Sequence, residues 1–412
     1  MAITLPFQKL CLIGTVFLLL SSNAFAKDII VGTSAAFNGP SKGLGIELYR
    51  GAKAYIDYVN GTGGIHGNNI VLKLYDDGYN PTPAIENTIR LVEQDKVLLL
   101  MNYVGTPTVT RALPLLKKYK ASDAFLFFPL TGAQPQREFP YDAFVFNLRA
   151  SYRQETEGLV DRFIGINRNR IAVFYQADSY GRSGWDGVKR ALARHNLKIA
   201  AEATYTRGAK FQDSMSRQVD IIREASPDAI IAVGSYAACA AFIRDARDNG
   251  ITVPIANLSF VGSENLLGQL QVVGKQNNRD YSSNLINSQV VPSYEDMTLP
   301  AVVQYRQLMD WYKPTAPVGI TNEAYTPLPY SFVSFEGFLN AKLLVEILRK
   351  MKNVDDKKLI RETVEGLKDQ DIGIDAKVTF GPAKHQGLDI VYYTTVTDGR
   401  FVPIGNWEAW KK

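Results

Sequence analysis

The segment from Ile29 to Ala84 constrains the fold most strongly, because apolar runs of strand length alternate in it with amphipathic helical segments. The predicted strands are Ile29–Thr33 and Ile70–Tyr75, and the predicted helices are Ile46–Asn60 and Pro83–Glu93. Gly and Pro residues mark the turns between them. Such alternation is typical of a parallel sheet that is covered by helices.

The same alternation continues to residue 257 and predicts two successive α/β series. Further strands are predicted at Val97–Met101, Phe125–Phe128, Arg170–Tyr175, Lys198–Tyr205, Ala229–Val233 and Ile255–Asn257, and the second series begins after Phe144–Arg149. Further helices are predicted at Thr108–Lys118, Gln154–Ile164, Trp185–His195, Asp213–Ala225 and Tyr236–Asn249. A chain of 412 residues exceeds the usual size of one hydrophobic core. We therefore predict an α/β fold of two doubly wound, Rossmann-like lobes.

The last third of the chain changes its pattern. The polar stretch Gln271–Ser283 predicts a loop, and Asp398-Gly399 predicts a hairpin turn. Alternating runs on both sides of that turn indicate an antiparallel addition to the second lobe. Strands are predicted at Leu285–Val291, Lys377–Phe380, Leu388–Val396 and Arg400–Ile404, and helices at Pro300–Tyr312, Leu328–Met351 and Asp355–Leu367.

The N-terminal segment Met1–Ala26 has the pattern of a secretion signal. Lys9 precedes an apolar run of 11 residues, Leu10–Leu20, and Ala24-Phe25-Ala26 supplies small residues at a cleavage site. This run is too short to span a bilayer. We expect export to the periplasm with cleavage near Ala26, which leaves Cys239 as the one cysteine of the mature chain.

Charge and motifs favour a binding protein over an enzyme or a nucleic-acid partner. The net charge of +5 is spread among interspersed acids and bases, without a basic block. The chain has no GxSxG turn, no P-loop and no HExxH motif, and its three histidines lack metal-ligand spacing. Asp76-Asp77 ahead of Gly78 predicts a turn held by an aspartate side chain rather than a cation site. We expect neither cofactor nor metal.

Hydroxyl groups and free amides follow several predicted strands of both lobes. Ligands of open α/β sheets bind beyond the carboxyl ends of the strands, and helix N-termini there favour anionic groups. The segments concerned are Asn102–Thr108, Pro129–Ala133, Asp178–Gly181 and Gly234–Tyr236. Each is also an ordinary helix cap or turn, so their joint occurrence is what indicates a binding cleft.

The stretches GTSAAFNGP, GGIHG and DDGYNP, in this order, resemble the start of the leucine/isoleucine/valine-binding family of periplasmic solute receptors. The resemblance covers Ile29 to about Val261 well and the remainder more loosely. It implies a type I periplasmic binding protein fold, with two lobes joined by three crossovers near Arg149–Tyr152, Asn284–Ser288 and Ile372–Ala376. The lobes would comprise residues 27–150 with about 287–374, and about 151–286 with 375–412.

The resemblance also implies where a ligand binds. Turns matching Tyr103–Thr108 and Thr131-Gly132 hold the ligand carboxylate in this family, and aromatic residues matching Tyr180 and Tyr236 line the second lobe. The implied ligand-binding residues are Tyr103, Gly105, Thr106, Thr131, Gly132, Tyr152, Gln154, Tyr180, Tyr236 and Ser259.

Ligand identity stays open at this point. Family members that bind α-amino acids add acidic residues for the ammonium group, whereas Gln154 and Ser259 stand at those places here, and Glu264 or Glu155 are the substitutes. The expected ligand is an amino acid, an amide or a related carboxylate. An aromatic, amide-like or otherwise neutral ligand is the alternative, in a pocket lined by Tyr103, Tyr152, Tyr180, Tyr236 and Phe260. The resemblance implies a monomer that delivers it to an inner-membrane ABC permease; a sensory receptor module is the alternative, and an exported enzyme is the third.

Overall fold

The structure is a computed structural model that describes residues 27–412. The predicted secretion signal, Met1–Ala26, lies outside the described residues. No helix of the part that is described has the length and apolar character needed to cross a membrane.

The first lobe is built on a five-stranded parallel sheet with the order β2-β1-β3-β4-β5. Its strands are β1 (Ile29–Ala35), β2 (Ile70–Asp76), β3 (Leu99–Met101), β4 (Leu126–Phe127) and β5 (Val145–Phe146). The helices between them are α1 (Lys42–Gly61), α2 (Pro81–Ile89), which a π-helical turn extends to residue 94, and α3 (Thr106–Lys118). Each strand and helix predicted in this part of the chain is present.

The second lobe contains a seven-stranded sheet with the order β14-β13-β10-β9-β8-β6-β7. In chain order its elements are α4 (Tyr152–Gly165), β6 (Ile171–Gln176), α5 (Ser179–Arg194), β7 (Glu202–Tyr205), α6 (Ser216–Glu224), β8 (Ala229–Val233), α7 (Tyr236–Asp248), β9 (Ile255–Asn257), α8 (Ser263–Asn277) and β10 (Leu285–Gln289). Strands β6 to β10 pair in parallel.

Helices α9 (Pro300–Tyr312) and α10 (Phe332–Lys350) return to the first lobe, where α10 packs across α1. Two glycines permit this close crossing. A Cβ atom at Gly51 would lie 1.7 Å from the Ser334 carbonyl oxygen, and one at Gly337 would lie 2.0 Å from that of Leu48. The backbones of the two helices therefore meet directly, without side chains between them.

The chain ends with α11 (Leu359–Glu365), a small antiparallel pair of β11 (Gln370–Asp371) and β12 (Lys377–Val378), and the hairpin of β13 (Tyr392–Thr397) and β14 (Arg400–Pro403). β13 pairs antiparallel with β10 of the second sheet. The predicted antiparallel addition to the second lobe is thus confirmed, with its turn at Asp398-Gly399.

Several elements differ in extent from the predictions, and two of these differences have a clear physical reason. The expected loop Gln271–Ser283 is helical as far as Asn277, because α8 buries a stripe formed by Leu266, Leu270 and Val273, and the polar residues lie on its other side. Helix α5 begins six residues before the predicted Trp185, because the Asp178 side chain accepts a hydrogen bond from the Tyr180 amide and caps it.

Candidate functional site

The carboxyl ends of strands from both lobes face each other. Tyr79, in the turn after β2, accepts a hydrogen bond of 3.2 Å from the side-chain amide of Gln176 at the end of β6. The predicted turn held by aspartate side chains is confirmed: Asp77 accepts from the Tyr79 amide (2.8 Å) and Asp76 from the Gly78 amide (3.1 Å). This turn points the Tyr79 side chain toward the second lobe.

Four aromatic side chains form the centre of the interface between the lobes. The Tyr180 ring lies 5.1 Å from that of Tyr152 and 4.6 Å from that of Phe260, and the Tyr79 and Phe260 rings are 5.7 Å apart. All four side chains are buried. We call these residues the aromatic cluster. Tyr152 and Tyr180 were predicted from the sequence, and Phe260 was predicted as a pocket residue for a neutral ligand, whereas Tyr79 was not predicted.

Gly105, at the start of α3, packs directly against the aromatic cluster. Its φ is +93°, and a Cβ atom there would lie 2.0 Å from Cε2 of Tyr79. The Tyr79 ring therefore covers the backbone at the N-terminus of α3. The anion site that the sequence predicted at this helix start is occupied by an aromatic ring in this conformation of the protein.

Thr106, Thr131 and Gly132 lie beside Tyr152. The hydroxyl oxygens of Thr106 and Thr131 are 2.7 Å apart and hydrogen-bonded to each other. The Tyr152 amide donates to the Gly132 carbonyl (2.7 Å), and a Cβ atom at Gly132 would lie 2.6 Å from the Tyr152 nitrogen. The structure thus brings these predicted residues together with Gly105 and the aromatic cluster.

A buried ion cluster lies behind the aromatic cluster, at the first crossover. Arg149 is 2% exposed, and its Nη2 and Nη1 atoms lie 3.5 Å from Oε1 of Glu155 and of Glu336, respectively. Its guanidinium carbon is 5.9 Å from the centre of the Tyr152 ring. Burial opposes the charged form of Arg149. The carboxylates of Glu336 and Glu155 outweigh this effect of burial and raise the pKa of Arg149.

Ser259 belongs to this ion cluster. Its amide and hydroxyl donate to the two oxygens of Glu155 at 2.8 and 2.9 Å, and its hydroxyl also accepts from Nη2 of Arg149. Ser288 donates a third hydrogen bond to Glu155 (2.6 Å). Glu336 has no comparable donors, and burial raises its pKa. Sequence reasoning missed Arg149 as a site residue; its place two residues before a helix N-cap was the only signal.

Several polar atoms of these clusters lack a hydrogen-bond partner among residues 27–412. They are Nε and Nη1 of Arg149 and the hydroxyl oxygens of Tyr152 and Tyr180, all buried. Buried polar groups in proteins are almost always paired, because an unpaired one loses its hydration without compensation.

Tyr236 lies at a second part of the interface, a cavity of about 580 Å³ lined by both lobes. Its hydroxyl accepts a hydrogen bond of 3.1 Å from the Gly43 amide in the first turn of α1. One oxygen of Glu264 accepts from the Phe332 amide (3.3 Å), and the other has no partner within the described part of the chain. Burial raises the pKa of Glu264 to about 7. The Lys42–Glu323 ion pair (2.6 Å) lies among the residues that line this cavity.

The structure does not bring Tyr103 and Gln154 to this interface. The Tyr103 hydroxyl is hydrogen-bonded to Thr88 (3.0 Å), and its ring packs in the first-lobe core beside α2 and α3. Gln154 caps the N-terminus of α4 together with Ser151, and its amide donates to Asp389 (3.0 Å). Both residues therefore lie at supporting positions.

Metal-binding groups do not occur in the part of the chain that the structure describes: no three His, Cys, Asp or Glu side chains there are arranged to hold an ion. Cys239 is buried in α7, and burial raises the pKa of its thiol well above the usual range. That environment keeps the thiol protonated and unreactive.

The sequence matches a known family along most of its length. The profile of the family described as "Periplasmic binding protein" matches residues 28–400. An "Amino acid binding protein" of Pseudomonas aeruginosa is 26% identical over 236 residues, which span 57% of this chain and 60% of that protein's length. A "Leu/Ile/Val-binding protein" of Citrobacter freundii is 24% identical over 276 residues, 63% of this chain and 72% of that protein.

A solved structure extends the similarity to the complete fold. A "possible leucine/isoleucine/valine-binding protein" from Rhodopirellula baltica superposes with a TM-score of 0.81 at 31% identity, covering 94% of this chain and 98% of that one. The predicted fold class, two α/β lobes of the type I periplasmic binding protein kind, is confirmed by this match and by the sheet topology.

Proposed function

The chain belongs to the periplasmic binding protein family, and from this premise we propose that it captures a small polar or amphipathic solute between its two lobes and delivers it to an inner-membrane ABC permease. The solute class is an amino acid, an amide or a related carboxylate. We propose that the protein acts as a monomer in the periplasm, after removal of Met1–Ala26, and that it performs no reaction on its ligand.

The cavity between the lobes is the observation that carries this proposal. Its volume of about 580 Å³ lies within the range of small-molecule sites. Gly39, Pro40 and Lys42 at the start of α1, with residues of the segment 323–328, line it from the first lobe. Residues 210–212 and residues of α7 and α8 line it from the second. A solute that contacts both walls stabilises the closed arrangement, which is how such a protein signals occupancy to a partner.

We further propose the ligand-contacting set. It comprises the predicted residues that lie along the interface, together with the acid that faces the cavity: Gly105, Thr106, Thr131, Gly132, Tyr152, Tyr180, Tyr236, Ser259 and Glu264. Tyr103 and Gln154 support this set from behind. For a ligand with an ammonium group, Glu264 is the better partner than Glu155. Glu155 already accepts four hydrogen bonds, whereas Glu264 has an oxygen without a partner in the described chain.

The division into lobes remains a proposal as well. Residues 27–150 and about 287–374 form the N-terminal lobe, and about 151–286 and 375–412 form the C-terminal lobe. The pairing of β10 with strands of the second sheet on both sides supports a second crossover near the end of this strand.

Mass spectrometry of protein purified gently from a periplasmic extract tests the function. We expect a stoichiometric small molecule that raises the melting temperature when it is added back, because a ligand that binds only the folded state stabilises it. Gly268→Phe should abolish this increase, since Gly268 lines the cavity and no atom lies within 4 Å of a Cβ placed there.

The matched control is Gly165→Phe, on an open helix position that does not line the cavity. It should keep the full ligand-induced increase. The proposal is wrong if no molecule is released and a panel of amino acids, amides and organic acids leaves the melting temperature of the wild type unchanged.

A further inference from the structure

The carboxylate position that the sequence resemblance implies, at the start of α3, is closed in the structure. The Tyr79 ring lies against the Gly105 backbone, and the hydroxyls of Thr106 and Thr131 bind each other. The hydroxyl pair uses one of its two hydrogens, and the Tyr79 ring covers the backbone at the helix start, so access to this position is restricted in this arrangement. An anionic ligand group that enters the interface meets a second set of donors beside it.

Donors that are not used in hydrogen bonds lie next to this position. Nε of Arg149 has no hydrogen-bond partner among the described residues, its Nη1 has only the Glu336 carboxylate at 3.5 Å, and the hydroxyls of Tyr152 and Tyr180 have no hydrogen bond there. The guanidinium is 5.9 Å from the Tyr152 ring, which in turn is 5.1 Å from the Tyr180 ring. Three neighbouring buried side chains with unused hydrogen-bonding atoms together indicate that a partner group belongs between them.

Chemistry limits what that partner is. A guanidinium only donates hydrogen bonds, so the partner must present acceptor oxygens. Hydrogen bonds between ionised partners are about twice as strong as those between neutral ones, which favours a carboxylate over a neutral carbonyl group.

Two arginines supply positive charge in this part of the interface. Glu155 is held by three hydrogen bonds from Ser259 and Ser288 and balances Arg149. Arg137 lies nearby and donates to backbone carbonyls and to Gln386, while Glu155 and Asp389 are the acids that act on its charge. Glu336 accepts no hydrogen bond among the described residues, and burial raises its pKa. A ligand carboxylate therefore meets the guanidinium groups of Arg149 and Arg137 here.

We infer that Arg149, together with the hydroxyls of Tyr152 and Tyr180, binds the carboxylate of the ligand, and that the protein therefore selects carboxylates over the corresponding amides. The inference rests on the proposed solute-binding function and assigns the ligand class of that same interface. Because the aromatic cluster is buried, the ligand reaches these donors when the lobes separate.

Matched pairs of acids and their amides test the inference by calorimetry and thermal shift. The probes are L-leucine, L-phenylalanine, isovalerate and benzoate, each compared with its primary amide, together with the carboxylate or amide that mass spectrometry identifies. We expect every ligand that binds to be a carboxylate, and its amide to bind at least about tenfold more weakly.

Tyr180→Phe and Tyr152→Phe remove one hydroxyl each and should weaken carboxylate binding by about tenfold. Tyr180→Phe should not lower the melting temperature of the ligand-free protein, because the removed hydroxyl has no hydrogen-bond partner among the described residues. Tyr281→Phe is the control: its buried hydroxyl is paired with Asp248 and Asn277 (both 2.9 Å), so its loss should reduce stability and leave affinity unchanged within about twofold.

Arg149→Lys gives a second measurement, since lysine keeps the charge but loses the guanidinium donors; it should reduce the preference for acid over amide. Equal binding of acid and amide, or full affinity in both Phe variants, would overturn the inference and leave solute binding intact. The absence of any bound or released ligand would contradict both the inference and the proposed function.

Discussion

Gln176 of the second lobe donates a hydrogen bond of 3.2 Å to the Tyr79 hydroxyl of the first lobe. Gln176 is itself fixed, because its side-chain oxygen accepts from Tyr205 (3.0 Å) and its amide also donates to Asp178 (2.7 Å). Tyr79 is therefore held by the second lobe while its ring covers Gly105 of the first. The interface in this structure is a closed one, in which a side chain occupies the centre of the cleft.

Gly105→Ala tests the contact between Tyr79 and the start of α3. We expect a loss of about 3 kcal/mol or more in the free energy of unfolding, since the new Cβ would lie 2.0 Å from the Tyr79 ring and alanine disfavours the positive φ. Gly208→Ala is the control in chemical denaturation. Gly208 has a φ of +88°, and no atom lies within 4 Å of a Cβ placed there. For this variant the free energy of unfolding should therefore decrease only by the cost of the positive φ, about 1–2 kcal/mol. Equal losses would show that Tyr79 does not rest on Gly105.

Glu155→Ala tests the buried ion cluster. It removes a carboxylate that pairs with Arg149 and accepts from Ser259 and Ser288, so it leaves buried donors without acceptors. We expect a loss of about 3–5 kcal/mol in the free energy of unfolding. Glu157→Ala removes an acid from the same helix that pairs with Arg194 on the surface, and should cost less than about 1 kcal/mol. A small effect at Glu155 would contradict the buried pairing.

Asp77→Asn tests a pH dependence. Burial raises the pKa of Asp77 to about 7, against 3.8 for the free side chain. Between about pH 4 and 7 the folded protein therefore binds more protons than the unfolded chain, and stability decreases as the pH rises through this window. One such group contributes a slope of at most about 1.4 kcal/mol per pH unit.

Denaturation midpoints measured from pH 4 to 8 should show a shallower decline in Asp77→Asn than in the wild type. Glu264→Gln should have the same effect, because burial also raises the pKa of Glu264 to about 7. The double variant should have the flattest profile. Identical slopes in the wild type and in all variants would contradict protonated forms of these two acids in the folded protein.

Gly51→Ala tests the crossing of α1 and α10. The added methyl group would lie 1.7 Å from the Ser334 carbonyl oxygen, so the helices must separate, and we expect a loss of more than about 3 kcal/mol. Gly268→Ala, in the interior of α8 with no atom within 4 Å, should instead stabilise the protein by about 0.5–1 kcal/mol. Thermal or chemical unfolding measures both, and a neutral Gly51→Ala would show that the helices do not touch.

The α/β alternation was predictable because it depends on local information. Apolar runs, Pro at helix starts and Gly after helix ends gave the strands of the first lobe and the antiparallel hairpin at Asp398-Gly399. The predicted secondary structure was wrong where burial of apolar side chains, rather than local composition, determined the structure. The polar residues of Gln271–Asn277 predict a loop. Helix α8 nevertheless includes them, because one apolar stripe is enough to hold it on the second sheet.

Part of the candidate site was also predictable, because parallel strands bring their carboxyl ends to one edge of a sheet. The hydroxyls of Thr106 and Thr131 and the rings of Tyr152 and Tyr180 do meet there. Tyr103 follows the same strand as Thr106 but points into the core behind the sheet, bonded to Thr88. The direction in which a side chain points after a strand depends on tertiary packing, which the order of residues alone does not specify.

The sequence by itself determined the fold class, two α/β lobes, and the positions at which their strands end. The resemblance to a known receptor family was confined to turns that a backbone of this kind requires. The tertiary structure alone decided what fills the cleft. Tyr79 covers Gly105, Arg149 lies between Glu155 and Glu336, and Glu264 faces a cavity with one unpaired oxygen. These contacts join residues up to 187 positions apart (Arg149 and Glu336), and their energies come from burial and charge pairing, which exist only once the lobes have met.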